Sequence, residues 1–196
     1  MTLGSGKRLV LVRHGETEWS RDGRHTGRTD VPLTREGEKR ARFLSQRLRR
    51  LGIEPLRVLS SPRQRAIDTA RLAGFEMPEI THLLAEVDYG EYEGRTSADI
   101  RADRPGWDLF TEGTPGGETL SAAAARCQRL LDDIDPEDGR GDVLLFAHGH
   151  ILRVLAVTYL GLPPEQARCL ALDATAVSIL DHEHWWRAVR LWNWTT

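Results

Sequence analysis

The sequence predicts an α/β protein built as a three-layer α/β/α sandwich with a mainly parallel central sheet. Short apolar runs, such as residues 9–12 and 143–147, alternate with segments whose apolar residues recur at helical spacing. This alternation favours parallel strands joined by crossover helices. The chain shows no internal repeat and no low-complexity linker, so its 196 residues are expected to form a single domain, residues 1–196.

The composition excludes several functional classes. Hydrophobic residues make up 40% of the chain and charged residues 29%, with a formal net charge of -2. A slightly acidic chain suits neither nucleic acid nor an anionic membrane, so neither is expected as a partner. No run reaches the ~18 apolar residues of a membrane span. Residues 1–7 lack the apolar core of a signal peptide. We therefore expect a cytoplasmic protein.

The first predicted strand, residues 9–12, leads into a polar loop and then a helix. Thr34 is a suitable N-cap for this helix, and Gly52 ends it. Its outer face is expected to be solvated, because Glu36 and Glu38 are interleaved among the basic residues. These basic residues are Arg35, Lys39, Arg40, Arg42, Arg47, Arg49 and Arg50.

A second short strand, residues 57–60, precedes another helix start. Ser61 is expected as the N-cap of that helix and Pro62 as its first residue. Residues 80–84 form a weaker strand candidate. The segment 85–118 is rich in Gly, Asp and Glu and contains one short helical pattern. A long segment of this kind usually carries function, and we expect it to be an insertion that covers the site.

The second half of the chain contains two helices and three strands. Residues 118–134 show helical apolar spacing, and Cys127 on that stripe is expected to be a reduced core residue. A buried strand, 142–147, precedes an apolar helix, 151–160. Two final strands, 174–180 and 185–192, are expected to be joined by a polar turn at residues 181–184. Four tryptophans are expected to pack on the sheet: Trp185, Trp186, Trp192 and Trp194. The Trp-rich edge strand could pair between two chains to form a homodimer.

Two of the predicted strands end in the same way. Residues 9–12 lead to Arg13, His14 and Gly15, and residues 143–147 lead to His148 and Gly149. The carboxyl ends of parallel strands meet at one edge of a sheet, where ligands of such folds bind. The two imidazoles are therefore expected to lie together, although 134 positions separate them.

Arg65 lies in the first turn of the helix predicted to begin at Pro62. A cation there opposes the helix dipole, and the N-terminus of a helix attracts anions. Arg65 could be an ordinary surface residue. The sequence favours the alternative that it reaches an anion at the sheet edge.

Four ordered motifs resemble the histidine phosphatase superfamily, which includes cofactor-dependent phosphoglycerate mutases and many phosphomonoesterases. They are RHGETEW from Arg13, SSPRQRAIDTA from Ser60, AEVDYGEYEG from Ala85, and FAHGH from Phe146. The resemblance runs from about Leu9 to Leu180 and implies a phosphoglycerate mutase-like fold.

The resemblance also implies roles for individual residues. His14 matches the nucleophile that accepts the phosphoryl group, and Arg13, Arg65 and His148 match the clamp around it. Glu86 matches the family's proton donor and acceptor. Further positions match residues that line the phosphate pocket or lie beside it: Gly15, Ser20, Thr26, Gly27, Tyr89 and Gly149. The family often has Asn where this chain has Ser20, and a shorter hydroxyl makes that contact doubtful.

The chemistry of this set is consistent with phosphate-ester cleavage. Two guanidinium groups neutralise the dianionic ester and hold its oxygens in fork geometry. The same positive field keeps the His14 ring neutral by lowering its pKa. Glu86 would protonate the leaving oxygen and then activate water. Because the arginines supply the positive charge, we expect neither a metal nor a cofactor.

Three functions are therefore considered. The first is a metal-independent phosphomonoesterase that hydrolyses a small phosphorylated metabolite through a phosphohistidine intermediate. The second is a cofactor-dependent phosphoglycerate mutase, which the short chain disfavours because related mutases carry longer closing segments. The third is a non-catalytic phosphate-binding protein. Residues 105–118 resemble a branch that contains sugar-phosphate phosphatases, and Trp107 and Phe110 could either face the leaving group or pack a lid.

Overall fold

The computed structural model describes residues 8–134 and 141–195, which contain one six-stranded sheet. Residues 1–7, on which the localisation prediction partly depends, lie outside this range. The strands are β1 (Leu9–Arg13), β2 (Pro55–Ser60), β3 (Glu79–Ile80), β4 (Asp142–Ala147), β5 (Val177–Glu183) and β6 (Trp186–Trp194). The α-helices are α1 (Glu18–Arg21), α2 (Arg35–Arg50), α3 (Gln64–Leu72), α4 (Ser97–Asp103), α5 (Leu109–Glu112), α6 (Leu120–Ile134) and α7 (Gly149–Tyr159).

The sheet has the strand order β3-β2-β4-β1-β5-β6 and is mostly parallel, which confirms the predicted fold class. Strand β1 lies at its centre, parallel to β4 and antiparallel to β5. The register pairs Arg13 with Ala147. The residues that follow, His14 and His148, therefore leave the sheet side by side.

The central strands are apolar along their length because both faces of the sheet are covered by helices. Leu11 and Leu145 point into one core, which α6 and α7 close. Val12 and Phe146 point into a second core on the opposite face, which α2 and α3 close. One layer of helices on each face of the sheet gives the three-layer sandwich.

Two helix details differ from the prediction. Helix α3 begins at Gln64 with Arg63 at its N-cap. The expected cap at Ser61 and the expected first helical residue, Pro62, are therefore wrong. The Ser61 N–H instead donates to the carbonyl of Phe146, which extends the strand path past β2. In α2, Thr34 caps the helix as expected. Arg47 does not lie on the solvated face, because it is buried and donates to the carbonyl of Thr175 at 2.9 Å.

The segment 85–118 contains more helix than the sequence predicted. A 3₁₀ turn at Gly90–Tyr92 and helix α5 accompany the expected helix α4. Trp107 is buried, packs edge-on against Tyr92, and donates its indole N–H to the carbonyl of Gly113 at 2.8 Å. Trp107 is therefore a packing residue of this segment. That the segment is an insertion covering the site stays a prediction.

The final hairpin is longer than the sequence predicted. Strand β5 continues through Glu183, so the expected turn at 181–184 is wrong and shrinks to residues 184–185. Trp192 and Trp194 pack against the cores as expected, whereas Trp185 and Trp186 are exposed. Strand β6 is an edge of the sheet. Pairing of this edge between two chains stays a prediction.

Two further observations concern the described part of the chain. None of its helices is long and apolar enough to cross a bilayer. Cys127 lies on the buried face of α6, as expected, and burial raises the pKa of its thiol to about 12.

Candidate active site

The ends of β1 and β4 bring two histidines together. The ring centroids of His14 and His148 lie 5.1 Å apart with an interplanar angle of 62°. Both side chains are buried. The N–H of His14 donates to the carbonyl of Ala147 at 2.9 Å, which continues the β1–β4 ladder up to the first histidine. The parallel register therefore fixes the position of both rings.

Local contacts fix the protonation state of His14. Its Nδ1 lies 2.6 Å from the carbonyl oxygen of Gly15. A carbonyl only accepts, so Nδ1 carries the proton and Nε2 keeps its lone pair. Burial, followed by the charges of Arg65 and Arg13, holds the pKa of His14 well below its ordinary value. The ring is therefore neutral at pH 7, with an unprotonated Nε2.

Arg65 is fully buried in the first turn of α3. Its guanidinium donates to the carbonyl of Thr29 at 2.8 Å and to that of Thr26 at 2.9 Å. The Nε donates to Nδ1 of His148 at 3.2 Å. These hydrogen-bond acceptors are neutral and hold the guanidinium in place. The exposed carboxylate of Asp30 lies 3.8 Å from its Nη1 and offsets part of its charge.

His148 is held between Arg65 and Ser61. Its Nδ1 accepts from Arg65, so the ring proton lies on Nε2, which donates to Oγ of Ser61 at 2.7 Å. Burial, with the charge of Arg65 next in importance, keeps its pKa well below the ordinary value. His148 is therefore a second neutral imidazole with a defined tautomer.

Arg13 has an unsatisfied nitrogen. One terminal nitrogen donates to the carbonyl of Leu172 at 2.5 Å. The buried Nε has no hydrogen-bond partner in the described part of the chain. The guanidinium packs against Gly149, where an added Cβ would lie 3.4 Å from it. A buried donor without a partner is costly, and a bound anion would satisfy it.

Glu86 binds the N-terminus of α7. Its carboxylate accepts the N–H of Val87 at 3.0 Å, of His150 at 3.0 Å and of Ile151 at 2.8 Å. The last two groups belong to the first helical turn, where N–H groups lack partners within the helix. The acidic motif and the second His-Gly motif are thus joined directly.

Arg13, His14 and Glu86 line a cavity of about 220 Å³, whereas Arg65 and His148 are not among its lining residues. It is lined by Arg13, His14, Ser20, Gly23, Arg24, His25, Thr26, Glu86, Tyr89, Ser97, Gly149, His150, Arg153 and Leu172. Glu86 is the single carboxylate among these lining residues, against three arginines. Within the described ranges, no cluster of three or more His, Cys, Asp or Glu side chains is arranged to hold a metal.

The residues expected to contact substrate divide into two groups. Four of them line the cavity: Ser20, Thr26, Tyr89 and Gly149. Gly15 and Gly27 do not. The N–H of Gly15 donates to Oγ1 of Thr69 at 2.9 Å, and that of Gly27 donates to the carboxylate of Glu93 at 3.0 Å. Both glycines also lie where an added Cβ would press on backbone oxygens. Close packing explains why they are glycines.

The Ser20 hydroxyl is only partly available to a ligand. It accepts the N–H of Thr17 at 2.9 Å and lies 3.0 Å from the Thr17 carbonyl, to which it donates. The first of these two bonds belongs to the capping box of α1. The doubt raised by the shorter side chain therefore has a structural basis.

The sequence prediction missed His150 and Arg153, which also line the cavity. His150 lies 2.6 Å, through its Nδ1, from the hydroxyl of Tyr89. His25, His150 and Phe110 form neighbouring ring contacts, and Arg153 lies over the Phe110 ring. Residues 149, 150 and 153 share one face of α7. The spacing of His and Arg after the second His-Gly pair could have indicated this.

The chain matches the family model of the Histidine phosphatase superfamily (branch 1) over residues 9–195. It is 40% identical to an acid phosphatase of Mycobacterium tuberculosis over 90% of this chain and 87% of that protein. It is 34% identical to the sedoheptulose 1,7-bisphosphatase of Saccharomyces cerevisiae over 85% of this chain and 72% of that protein. A probable phosphoglycerate mutase of an Enterobacter species is 35% identical over 89% and 85%.

Solved structures agree with the match to this family. The structure of an open reading frame of Mycobacterium tuberculosis superposes with a TM-score of 0.92 at 39% identity, covering 96% of this chain and 98% of that one. A mycobacterial glucosyl-3-phosphoglycerate phosphatase superposes with a TM-score of 0.83 at 30% identity, covering 95% and 98%. The chain therefore belongs to the histidine phosphatase superfamily and is a phosphatase-type enzyme.

Proposed function

We propose that this protein is a metal-independent phosphomonoesterase that works through a phosphohistidine on His14. The observation that carries the proposal is the neutral His14 ring, whose proton is fixed on Nδ1, beside the buried guanidinium groups of Arg13 and Arg65. This arrangement supplies a nucleophile and two cations for a dianionic ester at one position. Electrostatic stabilisation by fixed charges is the largest single contribution in many enzymes.

The proposed reaction has two steps. In the first, Nε2 of His14 attacks phosphorus, the N–P bond forms, and the bond from phosphorus to the ester oxygen breaks. Glu86 in its protonated form gives that oxygen its proton, so an alcohol leaves. In the second step water attacks phosphorus, Glu86 takes a proton from it, and the N–P bond breaks. Inorganic phosphate leaves and the starting state of His14 and Glu86 is restored.

The proposed substrate is a small phosphorylated metabolite such as a sugar phosphate. The size of the cavity supports a small molecule. Two similar proteins are named for phosphorylated sugars or sugar acids, the sedoheptulose bisphosphatase and the glucosyl-3-phosphoglycerate phosphatase.

A phosphoglycerate mutase is the second candidate, because several relatives are named as probable members of that class. A mutase must exclude water while the phosphoryl group is on the enzyme. The cavity here reaches the surface at the exposed residues Gly23 and Arg24, which gives water access. Hydrolysis is therefore favoured. Conversion of 3- to 2-phosphoglycerate with a bisphosphate primer would reverse this ranking if it outpaced phosphate release.

The direct test measures hydrolysis of an aryl phosphate in excess EDTA. We expect the wild type to be active and His14→Ala to be inactive. His82→Ala is the matched control, because His82 is exposed and does not line the cavity. Rapid acid-free quenching should trap phosphorus on residue 14 of the wild type. Full activity of His14→Ala, or activity lost to EDTA and restored by a divalent metal, would contradict the proposal.

A further inference from the structure

The chain enters β5 through a strained residue. Thr175, two residues before that strand, is buried and has a backbone φ of 58°. The other non-glycine residues with a positive φ in the described ranges are His184 and Asn193. Thr175 is the β-branched residue of the three, and a β-branched side chain strongly disfavours this left-handed conformation. Such strain persists only where the surrounding structure holds it, and it is concentrated at functional sites.

Thr175 binds the backbone of the two residues at the end of β1. Its N–H donates to the carbonyl of Arg13 at 3.1 Å and to that of His14 at 3.3 Å. In return, the N–H of Arg13 donates to the carbonyl of Ala176 at 3.3 Å. The turn at residues 175 and 176 therefore fixes the backbone from which the side chains of Arg13 and His14 project.

A buried arginine holds Thr175 in this conformation. Arg47 belongs to α2, 128 positions away in the chain, and its Nη1 donates to the carbonyl of Thr175 at 2.9 Å. Its Nη2 donates to Oγ1 of the same residue at 3.5 Å. Within residues 8–134 and 141–195, Arg47 forms no ion pair, and both of its side-chain hydrogen bonds go to Thr175. A buried cation without a counter-ion is costly, so a specific role must offset that cost.

We propose that Arg47 and Thr175 are positioning residues for Arg13 and His14. Arg47 stabilises the left-handed conformation of Thr175, and the N–H of Thr175 then fixes the end of β1. This inference rests on the proposed phosphatase activity, in which Arg13 binds phosphate and His14 is the nucleophile. Neither Arg47 nor Thr175 lines the cavity, so both act through the residues that they hold. A displacement of about 1 Å at a reacting group can slow a reaction about 100-fold.

The first test is Arg47→Met, which removes the hydrogen-bond donors but keeps an apolar side chain. We expect kcat for an aryl phosphate to fall at least tenfold. Leu48→Ala is the matched control, because Leu48 is buried on the same helix and its side chain has no donor for Thr175. This control should lower the urea midpoint of unfolding but retain kcat. Unchanged kcat in Arg47→Met, or an equal loss of kcat in Leu48→Ala, would overturn the inference.

The second test asks whether strain at Thr175 is the reason that Arg47 is needed. Glycine adopts a positive φ without strain and keeps the backbone N–H and carbonyl. Thr175→Gly, added to Arg47→Met, should therefore raise kcat at least threefold above that of Arg47→Met alone. Ala174→Gly in the same background is the control, because the backbone at Ala174 does not have a positive φ. No recovery with Thr175→Gly, or an equal recovery with Ala174→Gly, would contradict the inference.

Arg47→Lys replaces Arg47→Met in both tests if the methionine variant folds poorly. The compact ammonium of lysine does not reproduce the planar guanidinium that reaches both acceptors on Thr175. We expect a loss of kcat of at least threefold, which Thr175→Gly again reverses. Wild-type kcat in Arg47→Lys, or a loss that Thr175→Gly does not reverse, would count against the inference.

Failure of the proposed activity is recognised separately. If the wild type hydrolyses no aryl phosphate, the phosphatase proposal fails. NMR of protein labelled with ¹⁵N-histidine then decides the inference without turnover. The ring signals of His14, assigned by their loss in His14→Gln, should show the Nδ1-protonated tautomer in the wild type. Arg47→Met should shift or broaden these signals, and the added Thr175→Gly should restore them. Unchanged signals in Arg47→Met, or no restoration by Thr175→Gly, would refute the positioning role.

Discussion

The carboxylate of Glu86 accepts the backbone N–H of Ile151 at 2.8 Å, which joins the acidic motif to the first turn of α7. The same carboxylate accepts the N–H of His150 at 3.0 Å. Since His148 is the N-cap of that helix, the position of Glu86 and that of the second histidine depend on one another. The predicted acid–base residue is thereby fixed against the histidine end of the sheet.

Replacement of Glu86 by Gln is expected to slow catalysis by about 10²- to 10⁴-fold, the usual contribution of a positioned acid–base group. The amide oxygen can still accept an N–H from α7, so the fold is retained. The loss should be larger for an alkyl phosphate than for p-nitrophenyl phosphate, because a good leaving group needs less help from an acid. Steady-state kcat for the two substrates measures this difference.

Glu91→Gln provides the control for this prediction. Glu91 belongs to the same acidic motif, but it is exposed and does not line the cavity. Its substitution should leave kcat unchanged for both substrates. Equal losses for the alkyl and aryl substrates in Glu86→Gln would show that this residue has only a structural role.

Gly37→Ala is expected to disturb the loop that carries His14. A Cβ at residue 37 would lie 2.3 Å from the carbonyl oxygen of Glu16, and one at Gly15 would lie 2.9 Å from that of Gly37. Such overpacking costs about 1–3 kcal/mol, which exceeds the gain of about 1 kcal/mol in helix propensity. Displacement of the nucleophile should lower kcat/KM by about 10- to 100-fold.

Urea unfolding and aryl phosphate hydrolysis together measure the effect of Gly37→Ala. Gln46→Ala, at an exposed position of the same helix, reports the effect of alanine on helix propensity alone. A Gly37→Ala variant that is more stable than the wild type and fully active would show that this close approach does not constrain the loop.

Stability is expected to fall on acidification below about pH 6.5. Burial is the first cause of the lowered pKa of His14, His25, His148 and His150, and it brings that of His25 to about 4. These histidines therefore bind protons in the unfolded chain but stay neutral in the folded chain. Stability is lost as the pH falls through the ordinary range of the histidine pKa. Each such histidine lowers the free energy of unfolding by about 1.4 kcal/mol when the pH falls from 7.5 to 5.5.

Urea denaturation at pH 7.5 and 5.5 tests this dependence. His25→Asn should reduce the difference in unfolding free energy between the two pH values by about 1.4 kcal/mol. Any loss of stability common to both pH values cancels in that comparison. Equal stability of the wild type at the two pH values would be incompatible with buried neutral histidines.

The wrong predictions for Ser61 and Arg47 have the same physical cause. Ser61 has the side chain of a good N-cap. Because the chain stays extended past β2, its hydroxyl instead accepts a hydrogen bond from His148. Arg47 has the charge of a surface residue, yet it reaches the carbonyl of Thr175. Local preferences of about 1 kcal/mol are outweighed by such tertiary hydrogen bonds.

The sequence by itself determined the fold class and the family. It also predicted catalytic roles for two histidines, two arginines and one glutamate, and those roles stay predictions. Apolar strands and the short motifs at their ends are local patterns, which can be recognised in the amino-acid sequence. The tertiary structure alone decided the tautomers of His14 and His148, the carbonyl contacts of Arg65 and the role of Arg153 in the cavity wall. These features depend on contacts between residues far apart in the chain. Local spacing and propensity do not predict such contacts.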